Sequence, residues 1–157
     1  VAWPPPGLDD EAPVQRTPIW TESLLLALPA SHPPVNTPAD LRVHTLAAFA
    51  HGCTYRRIGE DWMRQATGQA PQVLELASYP AILACVAAGR CAGVVPQAVV
   101  DLLHTPPGLR WVPLGPCDTV LAHRMGYATP ALAALQAALH GAPDTPSVFA
   151  PDSSLRS

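Results

Sequence analysis

The chain has 157 residues, of which 48% are hydrophobic and 13% charged; that is enough apolar material for one buried core, and it excludes a disordered polymer. A formal charge of −3 and a pI near 6.0 leave no basic footprint for a phosphate backbone, so the chain by itself is not expected to hold DNA. No apolar run reaches the roughly 20 residues of a membrane span and the N-terminal residues do not resemble a signal peptide, which predicts a cytoplasmic protein with no membrane partner.

Residues 1–18 are rich in proline and acidic side chains, with only Val1 to Trp3 able to end a strand, and the chain reads as if something upstream had been removed. The run Ile19–Leu28 has the β-branched and aliphatic content of a strand and stops at Pro29. Pro33, Pro34 and Pro38 enforce an extended loop, a short turn passes through Asp40 and Leu41, and residues 45–49 form a second buried strand. Tyr55, Ile58, Trp62 and Met63 recur at helical spacing, which predicts a helix over 54–67 stopped by Gly68. Residues 72–77 alternate like a strand. Ser78 is placed to cap a helix over 79–88, with Pro80 in the first turn and Gly89 as the stop.

Residues 92–96 make a short apolar strand ended by proline, and 97–104 a short helix behind it. Further strands are expected at 109–114 and 118–124, followed by a helix over 131–139 that Thr129 and Pro130 open. The tail from Gly141 is rich in proline and serine and is expected to be mobile. Strands alternating with helices at this spacing predict an α/β fold: a doubly wound, mainly parallel sheet with helices on both faces.

In such a sheet small ligands bind at the carboxyl ends of strands, where the N–H groups of the next helix are free. Three corners qualify: His51 to Thr54, Ala77 to Tyr79, and Val95 to Gln97. The first two carry hydroxyls beside free amides and suit a small anion, the alternative being that Thr54 and Ser78 only cap helices. Cys53, at a helix N-terminus beside Arg56 and Arg57, is the residue most suited to a reactive thiolate; otherwise it is a small residue filling the turn. Cys85 reads as core. The four cysteines, 53, 85, 91 and 117, show no CxxC spacing and are expected to be reduced, and His51 with Cys53 is too small a set for a metal. There is no G-x-S-x-G elbow, P-loop, HExxH or G-x-G-x-x-G, so no catalytic residue, cofactor or enzymatic activity is expected.

The order TESLLLALPASHP, LAAFAHGCTYRR, ELASYPAILACVAAGRCAGVVP resembles the effector-binding domain of LysR-type transcriptional regulators over about residues 1–140. The resemblance implies one lobe of a periplasmic-binding-protein-like domain. Residues 1–28 would be a first-lobe remnant and the first crossing strand, 29–118 the second lobe, 119–140 the return crossing strand and a first-lobe helix, and 141–157 a flexible tail. It also implies a small-molecule effector held between lobes near Gly52, Cys53, Thr54, Ser78, Tyr79 and Pro96. DNA would be bound only through a missing N-terminal helix-turn-helix. The full-length protein would be a homo-oligomer pairing through helix 79–88, with association weakened in this piece. Two departures follow from the same resemblance. Cys91 stands where the family has a glycine, a costly exchange if that position needs a positive φ. Cys53 falls where a peroxide-sensing branch places its reactive cysteine, but Trp62 occupies the resolving position. Alternatives are a thiol-based redox sensor using Cys53, or a periplasmic-type solute-binding protein.

Overall fold

The computed structural model describes residues 13–103 and 108–141. The expectations for Val1 to Trp3, for His104 and for 142–157 lie outside the described residues.

Five strands form one sheet in the order β3-β2-β4-β1-β5, with β1 at Val14–Pro29, β2 at Thr45–Ala48, β3 at Gln72–Glu75, β4 at Ala92–Pro96 and β5 at Leu109–Arg124. The β2–β3 and β2–β4 pairs are parallel, with one helix between β2 and β3 and another between β3 and β4, while β1 runs antiparallel to both β4 and β5. The helices are α1 at Thr54–Thr67, α2 at Tyr79–Ala87, α3 at Gln97–Leu102 and α4 at Pro130–Gly141. The expected α/β fold is therefore present, and its parallel part is β3-β2-β4.

Side chains alternate across a strand, so each strand feeds two cores. Leu24, Leu26 and Leu28 of β1, Leu46 of β2 and Val94 of β4 meet on one face, where Met63, Tyr55, Ile58 and Trp62 of α1 cover them. Ala27, Ala47 and Val95 point to the other face, against Ile82, Leu83 and Val86 of α2 and Val99 and Val100 of α3. The periodicity that predicted α1 is the periodicity of its buried stripe. Cys85 packs against the second core, as read from its place on the helix.

Helix boundaries fall close to the sequence signals. Gly68 closes α1 in the left-handed region at φ 73°, and Ser78 opens α2 by accepting a 3.4 Å hydrogen bond from the Ala81 amide. Thr129 caps α4 through Oγ1, which accepts from the Leu132 amide at 3.1 Å, and α4 runs through Gly141, where a tail had been expected to begin. The turn before β4 takes its positive φ at Gly89 (101°), and no non-glycine residue among those described has one. Cys91 thus escapes the strain that a positive φ would impose; it is 3% exposed and part of the second core.

The strands differ more. The stretch expected to be irregular up to residue 18 contains the start of β1, and the two strands expected at 109–114 and 118–124 are one, β5. Prolines 18, 113 and 116 made both look interrupted. β5 is an edge strand, so Pro113 and Pro116 need supply no N–H on its open side, and Pro18 sits beside a register shift. β2 and β3 end one and two residues short of expectation, at Ala48 and Glu75, and α3 ends at Leu102.

The connection from β1 to β2 is pinned by His32, which is 5% exposed. Its Nε2 accepts from the Arg42 amide at 2.9 Å while Nδ1 lies 2.8 Å from the Pro33 carbonyl, and the Arg110 Nε donates to the His32 carbonyl at 3.1 Å. With Nε2 accepting, the ring is the neutral Nδ1–H tautomer.

Candidate effector site

β2 and β3 are parallel neighbours, yet the helices that follow them leave on opposite faces of the sheet. Such a divergence opens a crevice beyond the carboxyl ends of the two strands. A pocket of about 450 Å³ lies there, lined by Phe49, Ala50 and Cys53 after β2 and by Glu75, Leu76 and Ala77 after β3. The two corners are stitched together by the Leu76 amide, which donates to the Ala48 carbonyl at 2.8 Å.

A larger pocket, about 580 Å³, lies at the other ends of these strands among Val43, His44, Met63, Gln69, Ala70, Pro71 and Gln72. It faces the C-terminal end of α1, where carbonyls rather than amides are free, so the helix offers an anion no amide donors there. The smaller pocket is the better candidate because the N-terminus of α1 opens toward it.

Of the residues singled out in the sequence, Cys53 lines the pocket and is half-buried. It is the N-cap of α1 and makes no side-chain cap bond, so the first-turn amides of the helix are not satisfied by it. Gly52 precedes it at φ 98°, a conformation that costs an L side chain strain and lets the chain turn sharply off β2. Thr54 is 6% exposed and lies in the first turn rather than at the cap. Ser78 uses its hydroxyl to cap α2, the structural alternative for that residue. Pro96 is buried at the start of α3 and is not among the pocket-lining residues.

Tyr79 stands behind the pocket, half-buried, with its ring edge-on to Phe49. Its phenol is pushed up to about 12, first by burial and then by the negative charges that Cys53 and Glu22 can carry, so it remains a neutral donor at physiological pH.

Arg56 does not serve as the free cation the sequence placed beside Cys53. Its Nε donates to Glu60 Oε1 at 2.8 Å, and one terminal nitrogen donates to Glu75 Oε2 at 3.1 Å and to the Phe49 carbonyl at 3.3 Å. The guanidinium thus holds the rim in place and offsets the Glu75 charge, which would otherwise repel an anion. Phe49 and Glu75 were missed in the sequence, which named Arg56 only as a cation beside Cys53; the only local trace of this network is the i,i+4 spacing of Arg56 and Glu60. Among the described residues no three His, Cys, Asp or Glu side chains stand together to hold a metal, and no helix is long and apolar enough to cross a membrane.

A family model described as "LysR substrate binding domain" matches residues 1–142. The HTH-type transcriptional regulator GltR of Bacillus subtilis (strain 168) is 30% identical over 80 residues, 50% of this chain and 27% of that protein, so the match spans about a quarter of the relative's length. The reduced OxyR regulatory domain from Pseudomonas aeruginosa superimposes with a TM-score of 0.59 at 23% identity, covering 89% of this chain and 70% of the other. The Synechocystis PCC6803 CcmR regulatory domain in complex with 2-PG does so with a TM-score of 0.67 at 17% identity, covering 88% and 71%. At these identities the two structures establish a shared fold.

Proposed function

Because the chain belongs to the LysR substrate binding domain family, a family of transcriptional regulators and not of enzymes, we propose that it is the effector-sensing part of such a regulator and takes a small anionic metabolite in the pocket between Cys53 and Ala77. The observation that carries this reading is that the corner at the start of α1 and the corner leading into α2 line one opening. The α1 amides carry the positive end of a helix dipole, the Glu75 charge is offset by Arg56, and Tyr79 stays protonated behind the pocket.

In this reading residues 29–118 are the second lobe, and 1–28 and 119–140 bring the crossing strands and a first-lobe helix. A ligand between the lobes shifts their relative orientation, and with it the spacing of helix-turn-helix heads in a cytoplasmic homo-oligomer. The chain's net charge of −3 fits DNA contact being made by another domain. A thermal-shift panel of small mono- and dicarboxylates on the regulator containing this chain tests the reading. Stabilisation by one class, lost on Cys53→Trp, supports it; a folded regulator that no carboxylate stabilises sinks it.

A second reading, thiol-based sensing, is favoured by one observation: Cys53 lines the pocket and is accessible from it. Mass spectrometry after mild peroxide separates the two, since an unmodified Cys53 retires the redox option.

A further inference from the structure

β1 is held on both sides only near its end. Leu24 to Ala27 pair with β4 and also with β5, whereas from Val14 to Ser23 the strand pairs with β5 alone and no residue is fully buried. The outer parts of β1 and β5 are thus a two-stranded ribbon leaving the body of the sheet, and such ribbons have little stability of their own.

Two register shifts bound the segment where the ribbon leaves. Pro18 faces Val120 and Trp20 faces Thr119, which leaves Ile19 extra in β1; Leu24 faces Gly115 and Leu25 faces Pro113, which leaves Leu114 extra in β5. The rungs from Trp20–Thr119 to Leu24–Gly115 lie between these bulges, which sit on opposite strands. Bulges bend a strand and increase its local twist, so the ribbon's direction is set within this short segment.

Glu22 is in the middle of it, opposite Cys117. One carboxylate oxygen accepts from Trp20 Nε1 at 2.8 Å, which stiffens the ribbon locally, and the other accepts from the Tyr55 hydroxyl at 2.5 Å, which ties the ribbon to the first turn of α1. Tyr55 lies two residues after Cys53, and its ring packs against the first core. Burial, then the bond to Glu22, raises the Tyr55 phenol far above its ordinary value, so it stays a donor. Tyr79 feels both Cys53 and Glu22, which places all four groups in one neighbourhood.

We propose that the Tyr55–Glu22 hydrogen bond is a clasp through which the state of the pocket at Cys53 sets the orientation of the β1–β5 ribbon. Both are positioning residues: anything that displaces the first turn of α1 moves the Tyr55 hydroxyl, and the bulged segment follows through Glu22. The clasp does not depend on which effector is bound; only its use in signalling rests on the reading above.

Tyr55→Phe keeps the packed ring and removes the hydroxyl. Amide hydrogen exchange in residues 20–24 and 115–119 is expected to rise about tenfold, the scale of losing one hydrogen bond to a charged acceptor, while β4 amides exchange as before. Carbamidomethylation of Cys53 with iodoacetamide puts a group into the pocket, and it is expected to alter ribbon exchange in the parent protein but not in Tyr55→Phe or in Cys53→Ser. Glu22→Gln serves as a second variant and should loosen the same amides. Ribbon exchange unchanged in Tyr55→Phe, or raised equally in β4, overturns the clasp. So does an alkylation effect that is absent in the parent or survives in Tyr55→Phe. No effector enters this experiment, so a failed carboxylate panel would retire the anion reading and leave the clasp standing.

Discussion

The ring of Tyr79 stands at 86° to that of Phe49 with centroids 4.9 Å apart, so the first residue of α2 is packed edge-on against the residue that follows β2. This contact joins the two corners of the pocket across parallel strands. Tyr79→Ala should lose the aromatic pairing, about 0.5–1.5 kcal/mol beyond the area uncovered, whereas Tyr79→Phe should keep it. Urea unfolding of the two variants checks this: equal midpoints would mean that the ring contact contributes nothing.

Stability should fall in alkali through Cys91. Burial first, then the neighbouring Cys85, pushes its thiol up to about 11 from an ordinary 9.0. Between those values the folded chain keeps a proton that the unfolded chain has released, so the unfolded state gains and the contribution present below pH 9.0 is lost as pH rises toward 11. Cys91→Ala should flatten the dependence of the urea midpoint on pH across that window. A slope identical to the parent's would show that the thiol is not the group responsible.

The same burial sets an order of thiol reactivity. Cys53 is half-buried at the pocket, while Cys91 and Cys117 are 3% and 6% exposed. Under native conditions Cys53 and the equally half-buried Cys85 should alkylate before Cys91 and Cys117, which react only on unfolding, and peptide mapping after short exposure to iodoacetamide reads the order directly.

His32→Ala should remove the buried acceptor of the Arg42 amide in a loop that is otherwise largely exposed, at a cost of about 1 kcal/mol. His32→Asn offers a side-chain acceptor near the same place and should recover part of it. Thermal unfolding of both variants distinguishes a hydrogen-bonding role from simple filling of space, which would make the two equally damaging.

Gly93 lies where α2 presses on the sheet: a Cβ there would stand 2.6 Å from Ile82 Cγ2 and 3.4 Å from the Ala47 carbonyl oxygen. Gly93→Ala should therefore destabilise by about 1–3 kcal/mol through overpacking. Ile82→Ala removes the clashing methyl, so the double variant should cost less than the sum of the singles. Additive costs would place the strain elsewhere.

The sequence by itself determined those features whose signals are local. The bounds of α1 and α2, the strand β4 and the caps at Ser78 and Thr129 follow from apolar spacing, glycines and prolines within a few residues of each boundary. The linked motifs at residues 21–33, 46–57 and 75–96 likewise carried the family. Only the tertiary structure decided that β1 and β5 run unbroken past Pro18, Pro113 and Pro116, because a proline's missing N–H matters only where a neighbouring strand asks for it. It also decided that Arg56 answers to Glu75, and that Glu22 meets Tyr55 across 33 residues of chain. Pairings at that separation leave no periodic trace, since they arise from how strands and helices pack rather than from what stands beside each residue in the chain.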